Sequence, residues 1–146
     1  MKSKYFKGLN CFFLTLFFSC SIFSIEGKPY SLAANFVMEE NSADYKICGA
    51  DLYFYNQTNR TVKEIEVVFY LFDEEGEPAA ECSGRIIFEL EKEVGPEEDF
   101  RLCLNLDPFM TYIPQSPLEI DYLYVSKILY ADGTLWQDPF GFTAFM

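Results

Sequence analysis

Apolar residues recur along this chain in short runs of period two, separated by clusters of Gly, Pro, Asn and acidic residues. Successive side chains of a strand point to opposite faces, so each run predicts a half-buried strand rather than a helix. From Cys48 to Asn56, the residues Cys48, Ala50, Leu52 and Phe54 share one face and Gly49, Asp51, Tyr53 and Tyr55 the other. Ile65, Val67, Phe69 and Leu71 alternate with Glu66, Val68, Tyr70 and Phe72 until "DEEGEP", where Gly76 permits a turn and Pro78 ends the ladder. A third run sets Cys82, Gly84, Ile86, Phe88 and Leu90 against Ser83, Arg85, Ile87 and Glu89, and "EKEVGPEED" reads as the charged loop behind it. The fourth, Phe100, Leu102, Leu104 and Leu106 against Arg101, Cys103 and Asn105, is the cleanest. A one-residue slip there would place four large apolar side chains in water, so its register is well specified.

The irregular stretch "DPFMTYIPQSP" holds three prolines, which exclude a continuous helix but leave room for one helical turn near Phe109 to Tyr112. Beyond it, Leu118 to Tyr130 and Thr134 to Phe140 flank Asp132-Gly133. That dipeptide suits a two-residue hairpin turn, which pairs Leu129 with Trp136 and Tyr130 with Leu135. No long helical period follows residue 30. About seven strands in one domain over residues 30–146 predict an all-β fold, an immunoglobulin-like antiparallel β-sandwich, with a small barrel as the competing architecture.

The N-terminus reads differently. "MKSKYFKGLNCFFLTLFFSCSIFSIEGKPY" places Lys2, Lys4 and Lys7 before an apolar run from Leu9 to about Phe23, the pattern of a signal peptide over residues 1–24. A signal helix and export to the periplasm or the medium are expected, with an uncleaved anchor as the alternative. "FFSC", Phe17 to Cys20, also resembles a loose bacterial lipobox, in which Cys20 would become the lipidated first residue. Bulky Phe18 departs from that pattern; if Cys20 is not lipidated, it is one more member of the apolar run.

Composition strengthens the β reading, because 16 Phe and 10 Tyr favour pleated, half-buried surfaces. The net charge of −12 repels phosphate, so nucleic acid is excluded as a partner, whereas a basic partner would be attracted. The chain contains no His, which removes Ser-His-Asp and Cys-His catalysis and half of the usual zinc ligands. No enzyme activity, cofactor or metal is expected. Asp73, Glu74, Glu75, Glu77 and Glu81 cluster near a glycine, but without EF-hand spacing they read as a solvated turn. Of five cysteines, Cys11 and Cys20 fall in the targeting segment. Cys48 and Cys82 point inward by parity and could form a bridge or remain small buried thiols, while Cys103 points outward.

Phe69-Tyr70-Leu71-Phe72-Asp73 resembles the F-x-L-Y-D signature of a family of small bacterial exported domains, with Phe72 in place of its Tyr. Its surroundings are similar as well, since an Asn-rich turn precedes the strand in "NQTNRTVKEIEVVFYLFDEEG". Downstream, "LEKEVGPEEDF" resembles the family's step into its next strand, with Gly95 and Pro96 inverted and the loop lengthened. "ILYADGTLWQDPFG" is similar to a hairpin of related secreted domains. The resemblance spans Cys48 to Leu106 and implies an immunoglobulin-like sandwich without catalytic residues.

Aromatic side chains then carry the functional expectation. Tyr53, Tyr55, Tyr70, Tyr122, Tyr124 and Trp136 include more large amphipathic rings than one core needs, and such rings anchor protein interfaces and sugar-binding faces. Tyr53, Tyr55, Tyr70, Phe109, Tyr112 and Trp136 are the expected interaction surface. The expected role is a non-catalytic envelope module, exported or lipid-anchored, that binds another envelope or extracellular protein. Contact with a membrane would come only through the signal segment or a lipid anchor. The alternative is a small ligand or carbohydrate bound on an aromatic sheet face.

Overall fold

The computed structural model describes residues 27–80 and 82–145, the side chains of Cys82 and Phe145 excepted. The expected signal peptide and its helix, Cys20 and Glu81 lie outside the described residues. Seven strands follow one another, β1 Tyr30–Val37, β2 Gly49–Asn56, β3 Val62–Phe72, β4 Arg85–Val94, β5 Asp99–Asn105, β6 Glu119–Tyr130 and β7 Leu135–Gln137. They form two antiparallel sheets, one ordered β1-β2-β5 and the other β4-β3-β6-β7. The result is an immunoglobulin-like sandwich. β4 lies beside β3 in the larger sheet, whereas the constant-type immunoglobulin arrangement puts its fourth strand on the other sheet.

The alternation read from the sequence generates the core. Cys48, Ala50, Leu52 and Phe54 of the smaller sheet are buried against Ile65, Val67, Phe69 and Leu71 of the larger one. Tyr30 joins the layers: its ring stacks on Phe54 and meets Trp136 edge-on, and its hydroxyl accepts the Val125 N–H at 2.9 Å.

Four expectations need correction. The strand read from Cys82 begins at Arg85, because Ser83 at φ 58° and Gly84 at φ 79° are left-handed and interrupt the extended backbone before it. It then runs to Val94, so Glu91, Lys92 and Glu93, read as loop, are exposed strand residues. β4 is an edge strand, where charged side chains are tolerated and discourage pairing with another chain. The hairpin register is shifted by one, with Ile128 opposite Trp136 and Leu129 opposite Leu135. Tyr130 N–H bonds to the Thr134 carbonyl and Gly133 adopts φ 84°, giving a three-residue loop closed by a left-handed glycine rather than a two-residue turn. Finally, the helical turn occupies Asp107–Phe109, where Pro108 fits the first turn, and carries Phe109 edge-on against Phe88.

Two polar side chains tie the loops at opposite ends of β2. Asn56 is wholly buried; its Nδ2 donates to the carbonyls of Arg60 (2.7 Å), Gly95 (2.9 Å) and Val94 (3.3 Å), and its Oδ1 accepts from the Thr58 N–H and hydroxyl. The β2–β3 and β4–β5 loops thereby share one side chain. At the other end, Asp107 accepts the N–H groups of Lys46 (2.6 Å), Ile47 (2.8 Å) and Cys48 (2.9 Å). Partial burial would raise the Asp107 pKa, but the bonds from Cys48, Lys46 and Ile47 and the nearby Lys46 charge outweigh it and hold the carboxyl below its ordinary value.

Asn56→Ala should destabilise the fold by about 2–4 kcal/mol in urea unfolding, since it strands several loop carbonyls. Asn56→Asp should cost more at neutral pH, because a carboxylate would face those same carbonyls. Equal midpoints for wild type and Asn56→Ala would remove the knot from this account. For Asp107 the folded pKa is depressed, so its contribution is complete above the ordinary value of 3.8 and disappears as pH falls through the lower folded value. The stability gap between wild type and Asp107→Asn should therefore narrow on acidification; a gap constant with pH would contradict this.

Candidate functional site

β6 twice inserts a residue that β3 does not match. Glu66 pairs with Lys127 but Val67 with Val125, and Val68 pairs with Tyr124 but Tyr70 with Asp121. Each bulge reverses which residues of β6 face the core. Tyr130 and Ile128 point inward, then Val125 and Leu123, then Ile120. Tyr124 and Tyr122, which unbroken alternation from Tyr130 would send into the core, instead stand on the outer face of the four-stranded sheet. Tyr122 holds the second bulge at φ 49°, uncommon for a residue with a side chain, and its N–H is taken by the Asp121 carboxylate at 2.7 Å.

The two outward rings complete an aromatic ledge. Tyr70 and Phe72 of β3 lie nearly parallel, with centroids 6.4 Å apart, and Tyr122 meets Tyr70 edge-on at 5.7 Å. Together with Tyr124, Phe140 and Ser83 they line an open cleft of about 340 Å³. Phe140 and Phe142, 72% and 69% exposed, project beside it as a tilted pair. Their position depends on Gly141, which adopts φ 68° with its backbone against the Tyr124 ring, while the Tyr124 hydroxyl donates to the Pro139 carbonyl. Asp138, nearly buried, accepts the Phe142 and Thr143 N–H groups and the Thr143 hydroxyl, fixing the turn that carries Phe142. Arg85 sits at the margin; the hydroxyl of Tyr124, and secondarily that of Tyr70, raises its pKa and keeps it charged.

Beyond Val68 the same face becomes acidic. Glu66 lies opposite Glu89 and Glu64 opposite Glu91, with Lys127 reaching Glu64 at 2.8 Å. Glu64 first, with Glu89 and Glu66 adding their charge, raises the Lys127 pKa.

The residues expected as one interaction surface do not meet. Tyr70 belongs to the ledge, but Tyr53 and Tyr55 stand on the outer face of the other sheet, where Arg101 lies 5.1 Å from the Tyr53 ring. Trp136 is packed on the core beside Tyr30, Phe109 covers Phe88, and Tyr112 is exposed in the β5–β6 connection. Phe72, Phe140 and Phe142 were outside the expected surface, and Tyr122 and Tyr124 belonged only to the surplus of rings. The signal for them was Asp121 and Ser126, polar residues that interrupt the alternation of β6 beside its two bulges.

On the smaller sheet, Asn35, Asp51, Tyr53, Arg101 and Cys103 border an open depression of about 500 Å³. Burial, and then the negative charges of Asp51, Asp44 and Glu39, push the Cys103 thiol up to about 11; burial and Asp107 do the same for Cys48. Both are free thiols and protonated at neutral pH, which suppresses nucleophilic reactivity. The side chain of Cys82, one of the two alternatives read for Cys48 being a bridge to it, lies outside the described residues. In the acidic turn, the Asp73 carboxylate accepts the N–H groups of Glu75 and Glu77, so "FYLFDEEGEP" is a strand meeting its turn. Among the described residues no group of His, Cys, Asp or Glu is arranged to hold a metal ion.

A methyl group at Gly141 would lie 2.8 Å from the Tyr124 ring, whereas one at Gly76, also at positive φ, would meet nothing. Gly141→Ala should therefore destabilise the protein by about 1–3 kcal/mol more than Gly76→Ala, and shift the Tyr124 ring resonances in NMR spectra. Equal losses in the two variants would mean that Gly141 does not seat the ledge. Comparison of this chain with known protein families, with curated proteins and with solved structures finds no match to any of them.

Proposed function

We propose that this chain is a non-catalytic protein-interaction module of the bacterial cell envelope and that the aromatic ledge is its working surface. The observation that carries the reading is the outward placement of Tyr122, Phe140 and Phe142, half or more exposed on one face. Large exposed rings are costly in water and effective at interfaces, where a few of them supply most of the binding energy. A bulge with a left-handed tyrosine and a glycine seated on a ring keep them there.

Export is part of the proposal and rests on the sequence: three lysines followed by an apolar run, with Cys20 as the candidate lipid attachment site. The exported F-x-L-Y-D-like resemblance agrees with it. Carbohydrate binding is the second reading, favoured by the nearly coplanar Tyr70 and Phe72 rings above an open cleft. Openness supports the first, since small ligands favour concave sites that enclose most of their surface.

Two measurements test the proposal. The intact mass of the chain from its native host should begin at acylated Cys20 or near Ile25 to Lys28; an unprocessed mass starting at Met1 would overturn export by cleavage. A photoreactive residue at Phe140 in cells producing the full chain should give discrete protein adducts, whereas one at Tyr53 on the opposite face should not. Equal labelling from both positions would overturn the ledge as the working surface, and retention on envelope polysaccharides lost in Tyr70→Ala would favour the second reading.

A further inference from the structure

The outer face of the four-stranded sheet has a polarity that the ledge alone does not explain. Along β3 its residues run Phe72, Tyr70, Val68, Glu66, Glu64, and along β4 they run Arg85, Ile87, Glu89, Glu91. Both strands pass from apolar to acidic at the same level. Like charges directly opposite each other destabilise a sheet, yet Glu66 faces Glu89 and Glu64 faces Glu91. The groups that answer them are Lys127, at 2.8 Å from Glu64, and the Ser126 hydroxyl, which bonds to Glu66. Among the described residues one salt bridge, Lys127 with Glu64, forms at these four carboxylates, on a face that also presents Ile87, 40% exposed, and the rings of the ledge.

From this charge pattern we infer that the outer face takes an extended peptide segment of a partner protein, apolar at one end and rich in Lys or Arg at the other. The inference rests on the ledge being the working surface and adds the chemistry of its occupant. An extended segment fits because the side chains along β3 repeat every second residue, about 7 Å, as do those of an extended chain laid along it. From Tyr70 to Glu64 this track is about 20 Å long; Val68 at its middle is buried, so the segment there meets the exposed Ile87 opposite it. The cationic end belongs over Glu64, Glu66, Glu89 and Glu91, where it supplies the missing counter-charge. It is refused at the other end by Arg85, which stands directly opposite Tyr70 in the register. The apolar end therefore lies over Tyr122 and Phe140, and the two ends fix the direction of the segment.

The test uses the full chain and a fluorescein-labelled extended peptide with a Leu- and Phe-containing half and an Arg-alternating half, followed by anisotropy. Binding is expected to weaken about fivefold in Glu89→Gln/Glu91→Gln and about tenfold in Tyr122→Ala/Phe140→Ala. Glu89, Glu91 and Phe140 are exposed; because Tyr122 lies in the bulge, Phe140→Ala alone, expected to weaken binding severalfold, separates lost contact from a disturbed strand. Glu74→Gln/Glu75→Gln, which removes equal charge from the exposed turn after β3, should leave affinity unchanged. A peptide with every Arg replaced by Gln should bind less tightly, and equal affinity would overturn the inference. If the turn variant weakens binding as much as the face variant, the attraction is to the acidic chain as a whole and the inference is overturned. If the peptide does not bind while Phe140 still crosslinks to a partner, the inference falls and the ledge remains; if crosslinking fails as well, both fall.

Discussion

The structure depends on a mismatch of length: between Glu64 and Phe72 of β3, β6 twice fits two residues against one. A period-two strand cannot bury Tyr130, Ile128, Val125, Leu123 and Ile120 together unless its parity changes twice, and the bulges make that change. The first, at Ser126, coincides with the point where the Val125 N–H turns across the core to the Tyr30 hydroxyl, joining the first strand of one sheet to the central region of the other. The second moves Tyr122 and Tyr124 to the outside. Core closure and surface display are therefore set by one strand, and neither can be altered without moving the other.

Around this strand, buried polar groups decide how the loops meet. Asn56 and Asp107 are short side chains with several backbone partners each, a cheap way to hold irregular segments, since few rotamers are lost for each bond formed. Asn56 closes the end of the sandwich at the β4–β5 crossover, and Asp107 closes the end where the chain leaves β5 for its long connection to β6. The wide spacing in sequence of the groups they join, 59 to 61 residues for Asp107, places these contacts among the late, non-local ones in folding.

Much of the sandwich was legible because alternation is a physical consequence of burying one face. Phe100, Leu104 and Leu106 in β5 and its exit, and Ile65, Val67, Phe69 and Leu71 in β3, are buried as their spacing requires. β1 escaped notice because its Ala33, Ala34 and Asn35 give weak contrast between faces, although Tyr30 and Phe36 pack on the core. The hairpin register was missed because Asp132-Gly133 serves a three-residue loop as well as a two-residue one, and only the hydrogen bond from Tyr130 to Thr134 decides between them. The ledge was the least legible part. Tyr53 and Tyr55 belong to one sheet and Tyr70 to the other, and the bulges that expose Tyr122 depend on how β6 pairs with β3, which no local pattern reports.

The buried Asn56 also bears on where this protein can be made. Asn56-Gln57-Thr58 has the acceptor pattern for N-linked glycosylation, and the nitrogen that would carry the glycan is the Nδ2 that donates to the Arg60, Val94 and Gly95 carbonyls. A glycan added during translocation would arrive before the knot closes, and no space exists for it inside. A eukaryotic secretory host would thus divide the chains into an unmodified fraction able to fold and a modified fraction barred from folding. Asn59-Arg60-Thr61, whose Asn59 is exposed, carries no such conflict.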